Sequence, residues 1–412
     1  MKLVKMSLLA ATLIASSAFA IDNVKVSGDA KLYYATHDDT NNNIEAGLFD
    51  KTSSDGQAAL GLGLTADLTE GVSAGVHLTA LSALGLTNIV SNVWEAGLQD
   101  EFWFDEAWLA GTYGKTTAKV GRMTLDTPLA FTETWSIAKN TFEAGVLINQ
   151  DVPDTTLVGA YIGESNSGGV GQYANVVANL DGNQNTNFGL VNGGKGAYAV
   201  GAVNNSWKPL TAQGWFYNLP SHAQAYWLQA DIALDFGLNL GAQYTGIEIQ
   251  DNTFGGVGEQ TNDAFAVMAG YELKDIVTVS AAFSQTGTNN NGLRAGFNVF
   301  GQQSKLYTEA WWNYGYNTRA DTTAINVTVK TPEELTYVGL GLYVTQDTVG
   351  ENGTGVDQKE DMMEVTVEAS KSFGPLDVAL LYIMTDAEDQ NINTAGEGES
   401  YNTVQAYLTY NF

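Results

Sequence analysis

Apolar and polar side chains alternate through most of this chain, in segments of about ten residues. Val24, Val26, Ala30, Leu32 and Tyr34 form one row, and Lys25, Ser27, Asp29 and Lys31 form the opposite one. Met363, Val365, Val367 and Ala369 likewise oppose Glu364, Thr366, Glu368 and Ser370. Leu376, Val378, Leu380, Tyr382 and Met384 make another apolar row, and segments 58–66, 72–80, 277–284 and 337–345 follow the same rule. Successive side chains of a strand point to opposite faces, so the pattern predicts many strands that separate two environments. After Ile21 there is no apolar run of the length a helical membrane span needs.

A soluble sandwich alternates too, with its apolar face buried against a second sheet. Three features select a transmembrane antiparallel β-barrel instead. The apolar rows carry almost no charge, as contact with lipid demands. Tight connections (Leu68–Gly71, Gly114-Lys115, Pro153-Asp154, Lys208-Pro209, Asp235–Gly237, Lys274-Asp275, Thr331–Glu334, Gly374-Pro375) are spaced between long polar stretches. Those stretches lie near 37–56, 83–101, 123–141, 166–195, 250–261, 287–303, 348–360 and 389–399. Aromatic clusters at Phe102-Trp103-Phe104, Trp215-Phe216-Tyr217, Tyr226-Trp227 and Trp311-Trp312 suit the two surfaces of a bilayer. The last row, Val404, Ala406, Leu408 and Tyr410, runs to the terminal Phe412, which looks like an outer-membrane assembly signal. A walk along the chain finds 19 candidate strands. Single-chain bacterial barrels are even-numbered, so the pattern predicts between 16 and 20. The ambiguous places are Leu293–Phe300, readable as loop or strand, and Leu219-Pro220, an unusually short outer connection.

Composition narrows the function. With 46 acidic and 18 basic residues the formal charge is −28, which excludes a nucleic-acid partner, since phosphate backbones need a basic surface. The absence of cysteine excludes disulfides, a thiolate nucleophile and a zinc ribbon. Lys2 and Lys5, the apolar stretch Met6–Ala15 and the small-x-small site Ala18-Phe19-Ala20 read as an export signal. The expected organisation is a signal peptide over 1–20 and one barrel domain over 21–412. Removing the two lysines moves the charge from −28 to −30.

Catalysis finds no support. His37, His77 and His222 lack metal-ligand spacing, and no HExxH, phosphate-binding loop or GxSxG string is present. The chain therefore reads as a non-enzyme. The run Asp181, Asn183, Asn185 imitates the start of a calcium-binding loop, but Thr186 replaces the required glycine and Asn192 the bidentate glutamate.

Longer strings carry a family resemblance. They are Gly121-Arg122-Met123-Thr124-Leu125-Asp126-Thr127-Pro128, Phe131-Thr132-Glu133-Thr134-Trp135, Asn140-Thr141-Phe142-Glu143-Ala144 and Lys305-Leu306-Tyr307-Thr308-Glu309-Ala310-Trp311-Trp312-Asn313-Tyr314. Together they closely resemble the major outer membrane porins of Campylobacter and related bacteria. The resemblance implies an 18-stranded barrel in the outer membrane of a Gram-negative bacterium and a homotrimer. It also implies passive diffusion of small hydrophilic solutes with a cation preference, and a calcium ion near the constriction, for which Asp126 is the first ligand to test.

A barrel of this size encloses water, and something must narrow it. The stretch 123–141 is the candidate, because Leu125, Leu129, Phe131, Trp135 and Ile137 are uncommon in a free surface loop. Folded inward, it is expected to present Asp126, Glu133 and Lys139 to the solute path beside Arg122, with Arg294 and Arg319 as further counter-charges. Alternation assigns Asp29, Asp105, Glu364, Glu368 and Asp377 to the lumen, where carboxylates concentrate cations. Two rival readings are a substrate-specific channel on the same barrel and a surface adhesin whose barrel only displays loops.

Overall fold

The structure is a computed structural model that describes residues 21–38, 47–90, 100–134, 137–167, 188–250, 258–289, 292–301, 303–331, 337–349, 358–386 and 400–412. Residues 1–20, expected to be an export signal, and the run around Asp181 lie outside the described residues.

The alternating segments become β1 (Asp22–His37), β2 (Ser54–Thr69), β3 (Val72–Ser82), β4 (Asp100–Tyr113), β5 (Thr116–Met123) and β6 (Phe142–Asn149). There follow β7 (Thr155–Ser165), β8 (Gly189–Leu190), β9 (Ala197–Asn204), β10 (Leu210–Leu219), β11 (Ala223–Ala233), β12 (Leu238–Ile249) and β13 (Gln260–Leu273). The last are β14 (Val277–Thr286), β15 (Thr323–Lys330), β16 (Tyr337–Val349), β17 (Gln358–Phe373), β18 (Leu376–Asp386) and β19 (Tyr401–Asn411). Each pairs antiparallel with its sequence neighbours, and β1 pairs with both β2 and β19, so the sheet closes on itself. The two-residue β8 only extends the end of β7, whose main partner on that side is β9. The wall therefore has the even number 18.

The nineteenth candidate, Leu293–Phe300, is not a wall strand; it belongs to the long β14–β15 connection and lies inside the barrel. At Leu219-Pro220 the short connection is real. Leu219 pairs with Ala223, and Ser221 takes a left-handed φ of 67° to make the turn.

Alternation sorts as expected. On β1, Val26 is 54% exposed on the outer face, whereas Tyr33 and Ala35 are buried on the inner one. Phe102, Phe104, Phe216, Tyr226, Tyr244 and Phe265 stand on the outside toward the long-loop rim. Tyr113, Trp207, Phe236, Tyr271, Phe373, Tyr410 and Phe412 ring the tight-turn rim. Trp103, Trp215 and Trp227 point inward and are buried. Trp311-Trp312 departs from expectation: it belongs to no girdle, because it sits in the β14–β15 connection against Glu364.

At the seam the chain ends meet. Gly28 and Phe412 exchange two backbone hydrogen bonds of 2.7 and 2.9 Å, and the Phe412 ring lies flush on Gly28. A Cβ there would come within 2.4 Å of the ring and 2.9 Å of the Gly61 carbonyl. Gly28→Val should therefore displace Phe412, destabilise the seam by about 1–3 kcal/mol and lower the temperature at which the barrel loses its heat-modifiable gel mobility.

Candidate functional site

Two connections fold into the lumen, where one was expected. The first, 124–141, leaves β5 and makes a small hairpin with an isolated bridge between Asp126 and Phe131, closed by the Thr127 hydroxyl on the Ala130 carbonyl at 2.7 Å. Its apolar residues explain the inward path. Leu125 and Ala130 pack with Met123, Phe142, Ile162, Ile249 and Phe300, while Leu129 packs with Trp215, Trp227 and Leu306. Ile137 and Ala138 then return over Tyr33, Leu81 and Trp103 on the opposite arc. Trp135 lies outside the described residues.

The second connection, 287–322, makes a matching hairpin bridged between Phe297 and Ser304. The hairpins interlock. The Asn298 side chain imitates a peptide, accepting from the Phe131 N–H at 3.3 Å and donating to the Phe131 carbonyl at 2.9 Å. Val299 N–H donates to the Leu129 carbonyl at 3.0 Å. Glu133 is buried beneath them and accepts from Asn298 Nδ2 at 3.0 Å and Gln303 N–H at 2.7 Å. Gly301 leaves the room Glu133 needs, since a Cβ there would lie 2.0 Å from its Oε1. Farther along, the buried Glu364 of β17 accepts from three successive backbone N–H groups, those of Trp311, Trp312 and Asn313, at 2.8, 3.0 and 2.8 Å. A charged acceptor with several donors is among the stronger arrangements available to an interior.

The opposite arc gathers most of the described ion pairs. Arg122 reaches Glu143 at 2.6 Å and the Phe104 carbonyl at 2.6 Å, and lies 3.6 Å from the Phe188 ring centre. His77 stands between Asp105, at 2.6 Å, and Asp29, at 3.9 Å. Lys139 crosses from the first inserted segment to Glu106 at 2.5 Å and Asp105 at 3.6 Å. Lys31 lies 3.3 Å from Asp29. Where the two hairpins meet, Lys305 forms an ion pair with Asp126, whose side chain is 91% exposed. Below it Tyr307 donates to Asp231 at 2.5 Å, and burial followed by that carboxylate raises the phenol far above its ordinary range.

The expected residues thus separate into two groups. Arg122, Asp29 and Asp105 sit on wall strands and Asp126 and Lys139 on the first inserted connection, each in an ion pair. Glu133 and Glu364 are instead enclosed anchors of the inserted segments. Glu368 is half-buried on β17, and Asp377 sits at the tight-turn rim with Ser372 and Asn411. Arg319 lies over the Tyr316 ring. Asn298, Lys305 and the whole second segment were not foreseen. The signal was the one used for 123–141: Leu293, Phe297, Phe300 and Leu306 are apolar residues in a stretch otherwise read as loop.

Asp126, the expected calcium ligand, stands beside Lys305. Among the described residues no three carboxylate or histidine side chains converge on one point.

The sequence matches no family model and no curated protein. Solved structures share the fold. Acinetobacter baumannii OccAB1 superposes with a TM-score of 0.70 at 14% identity, covering 96% of this chain and 98% of that one. Pseudomonas aeruginosa OccK8 (OprE) gives 0.68 at 15%, covering 96% and 99%. P. aeruginosa OpdK with vanillate gives 0.67 at 12%, covering 95% and 99%. The fold is therefore that of Gram-negative outer-membrane barrel channels.

Two outcomes follow from the interlock. Asn298→Leu leaves the buried Phe131 N–H and carbonyl without their partner, so it should cost about 2–4 kcal/mol, read as faster hydrogen exchange over 124–134. Glu309, in the second segment, responds to pH. Burial pushes its carboxyl well above the ordinary value of 4.5; the Gly315 and Ser304 N–H groups oppose this, and Glu133 and Glu364 reinforce it. A raised folded pKa means the folded segment binds the proton more tightly, so stability is full below about 4.5 and falls as pH rises toward the folded pKa. Proteolysis of 303–318 should accelerate with rising pH over that window, and Glu309→Gln should remove the dependence.

Proposed function

We propose that the chain is an outer-membrane porin, a water-filled channel for passive diffusion of small hydrophilic solutes and ions, acting without chemistry. One observation carries this reading: two inserted hairpins narrow a closed 18-strand barrel, yet charged side chains stay solvent-exposed inside it. The aromatic girdles and uncharged outer rows support a bilayer around the wall, with the long connections outside the cell and the tight turns on the periplasmic side. The acidic balance, with Asp29, Glu106, Asp126 and Glu143 along the inner surface, supports a cation preference. The strings around Arg122 and Lys305 support placing the chain near the Campylobacter-type porins, and with them a homotrimer.

A substrate-specific channel is the second reading, favoured by the shared fold with OpdK, whose structure holds vanillate. Competition distinguishes the two, since a general porin shows no saturable block of ion current by one solute.

Purified refolded protein in a planar bilayer should give stepwise conductance, with a reversal potential in a salt gradient on the cation side. Replacing 293–304 by a short Gly-Ser linker should enlarge each step about twofold, because it removes half of the constriction. A barrel that passes no steady current would leave the adhesin reading standing.

A further inference from the structure

Most carboxylates inside this barrel are already committed. Glu133 is buried under Asn298 and Gln303, Glu364 is buried under three backbone N–H groups, and Asp105 is buried between His77, Thr79 and Lys139. Glu143 is held by the Arg122 guanidinium. Asp126 differs: its side chain is 91% exposed at the tip of a hairpin in the lumen, and its charged partner is Lys305. Lys305 is itself anchored. Its carbonyl accepts from Gln243 Nε2 on the wall at 2.9 Å, and its ammonium lies 4.7 Å from the Phe131 ring centre.

We infer that Lys305 is a specificity-determining residue of the channel: a built-in cation, held at the junction of the two hairpins, that sets how strongly the exposed Asp126 favours cations. The inference rests on the channel reading given above. The interlock does not need the pair, because Asn298, Val299 and Glu133 join the hairpins through enclosed hydrogen bonds. An exposed ion pair adds little to stability. Its two charges nevertheless sit partly or fully exposed where the two inserted hairpins meet, and a fixed charge acts over a Debye length of about 8–10 Å. Position and exposure therefore give the pair an electrostatic role and leave it almost no structural one.

The test is reversal potential in a tenfold salt gradient, with each variant first shown to be folded by its heat-modifiable gel shift. Lys305→Gln bares Asp126 and should raise the cation-to-anion permeability ratio about threefold at 0.1 M salt, with the effect fading at 1 M. Asp126→Asn should lower the ratio by a similar factor, and Lys305→Arg should match the unsubstituted protein. Chelator should leave the unsubstituted ratio unchanged. Conducting Lys305→Gln and Asp126→Asn channels with unaltered reversal potentials would overturn the inference while leaving the channel reading intact. A chelator-induced shift in the unsubstituted protein would overturn it as well, since a metal would then share the site. Absence of any conductance in the unsubstituted protein would overturn both.

Discussion

A sheet surrounded by hydrocarbon has no water to satisfy a free edge, so every strand must find a partner on both sides. In this chain that condition is met at one seam, where β1 pairs with β19 over Asp29 to His37 and the terminal Phe412 settles on Gly28. Closure makes an inside. Once an inside exists, the polar rows of the alternating segments face each other across a shared volume, and whatever enters it comes under charges from several strands at once.

Two kinds of interaction divide that volume. Apolar contacts and neutral or enclosed hydrogen bonds hold the inserted hairpins to strands from β5 to β17, where satisfied polar groups specify one arrangement. Ion pairs collect on the arc from β1 to β6, most of them partly exposed and therefore weak, with the buried Asp105 the exception. The same side-chain type therefore plays different parts: Glu133 and Glu364 organise backbone, while Glu143 and Asp126 shape a field.

The wall was legible because period-two alternation is a local property that each segment states for itself. Val26 faces out and Tyr33 faces in without reference to distant residues. Strand number was less legible, because Leu293–Phe300 has the apolar content of a strand but spends it on the first hairpin instead of on neighbours in the sheet. The site was legible only in part. Apolar residues in 123–141 foretold an inward fold, and Asp126 and Lys139 on that segment pair with Lys305 and Glu106. That Glu133 would be enclosed depends on Asn298, Gly301 and Gln303, which are far away in sequence and come into contact only after the barrel has closed. Trp311-Trp312 misled for a related reason: an aromatic pair beside a strand end resembles a girdle until a wall carboxylate captures its backbone.

The distance between Phe131 and Asn298, 167 residues along the chain, has a consequence for assembly. The pairing of strands β6 to β14 shortens the effective span between the two hairpins and so lowers the entropy of bringing them together. The hairpin interlock is thus a contact of high sequence separation, one that the local strand pairings of the wall do not by themselves bring about.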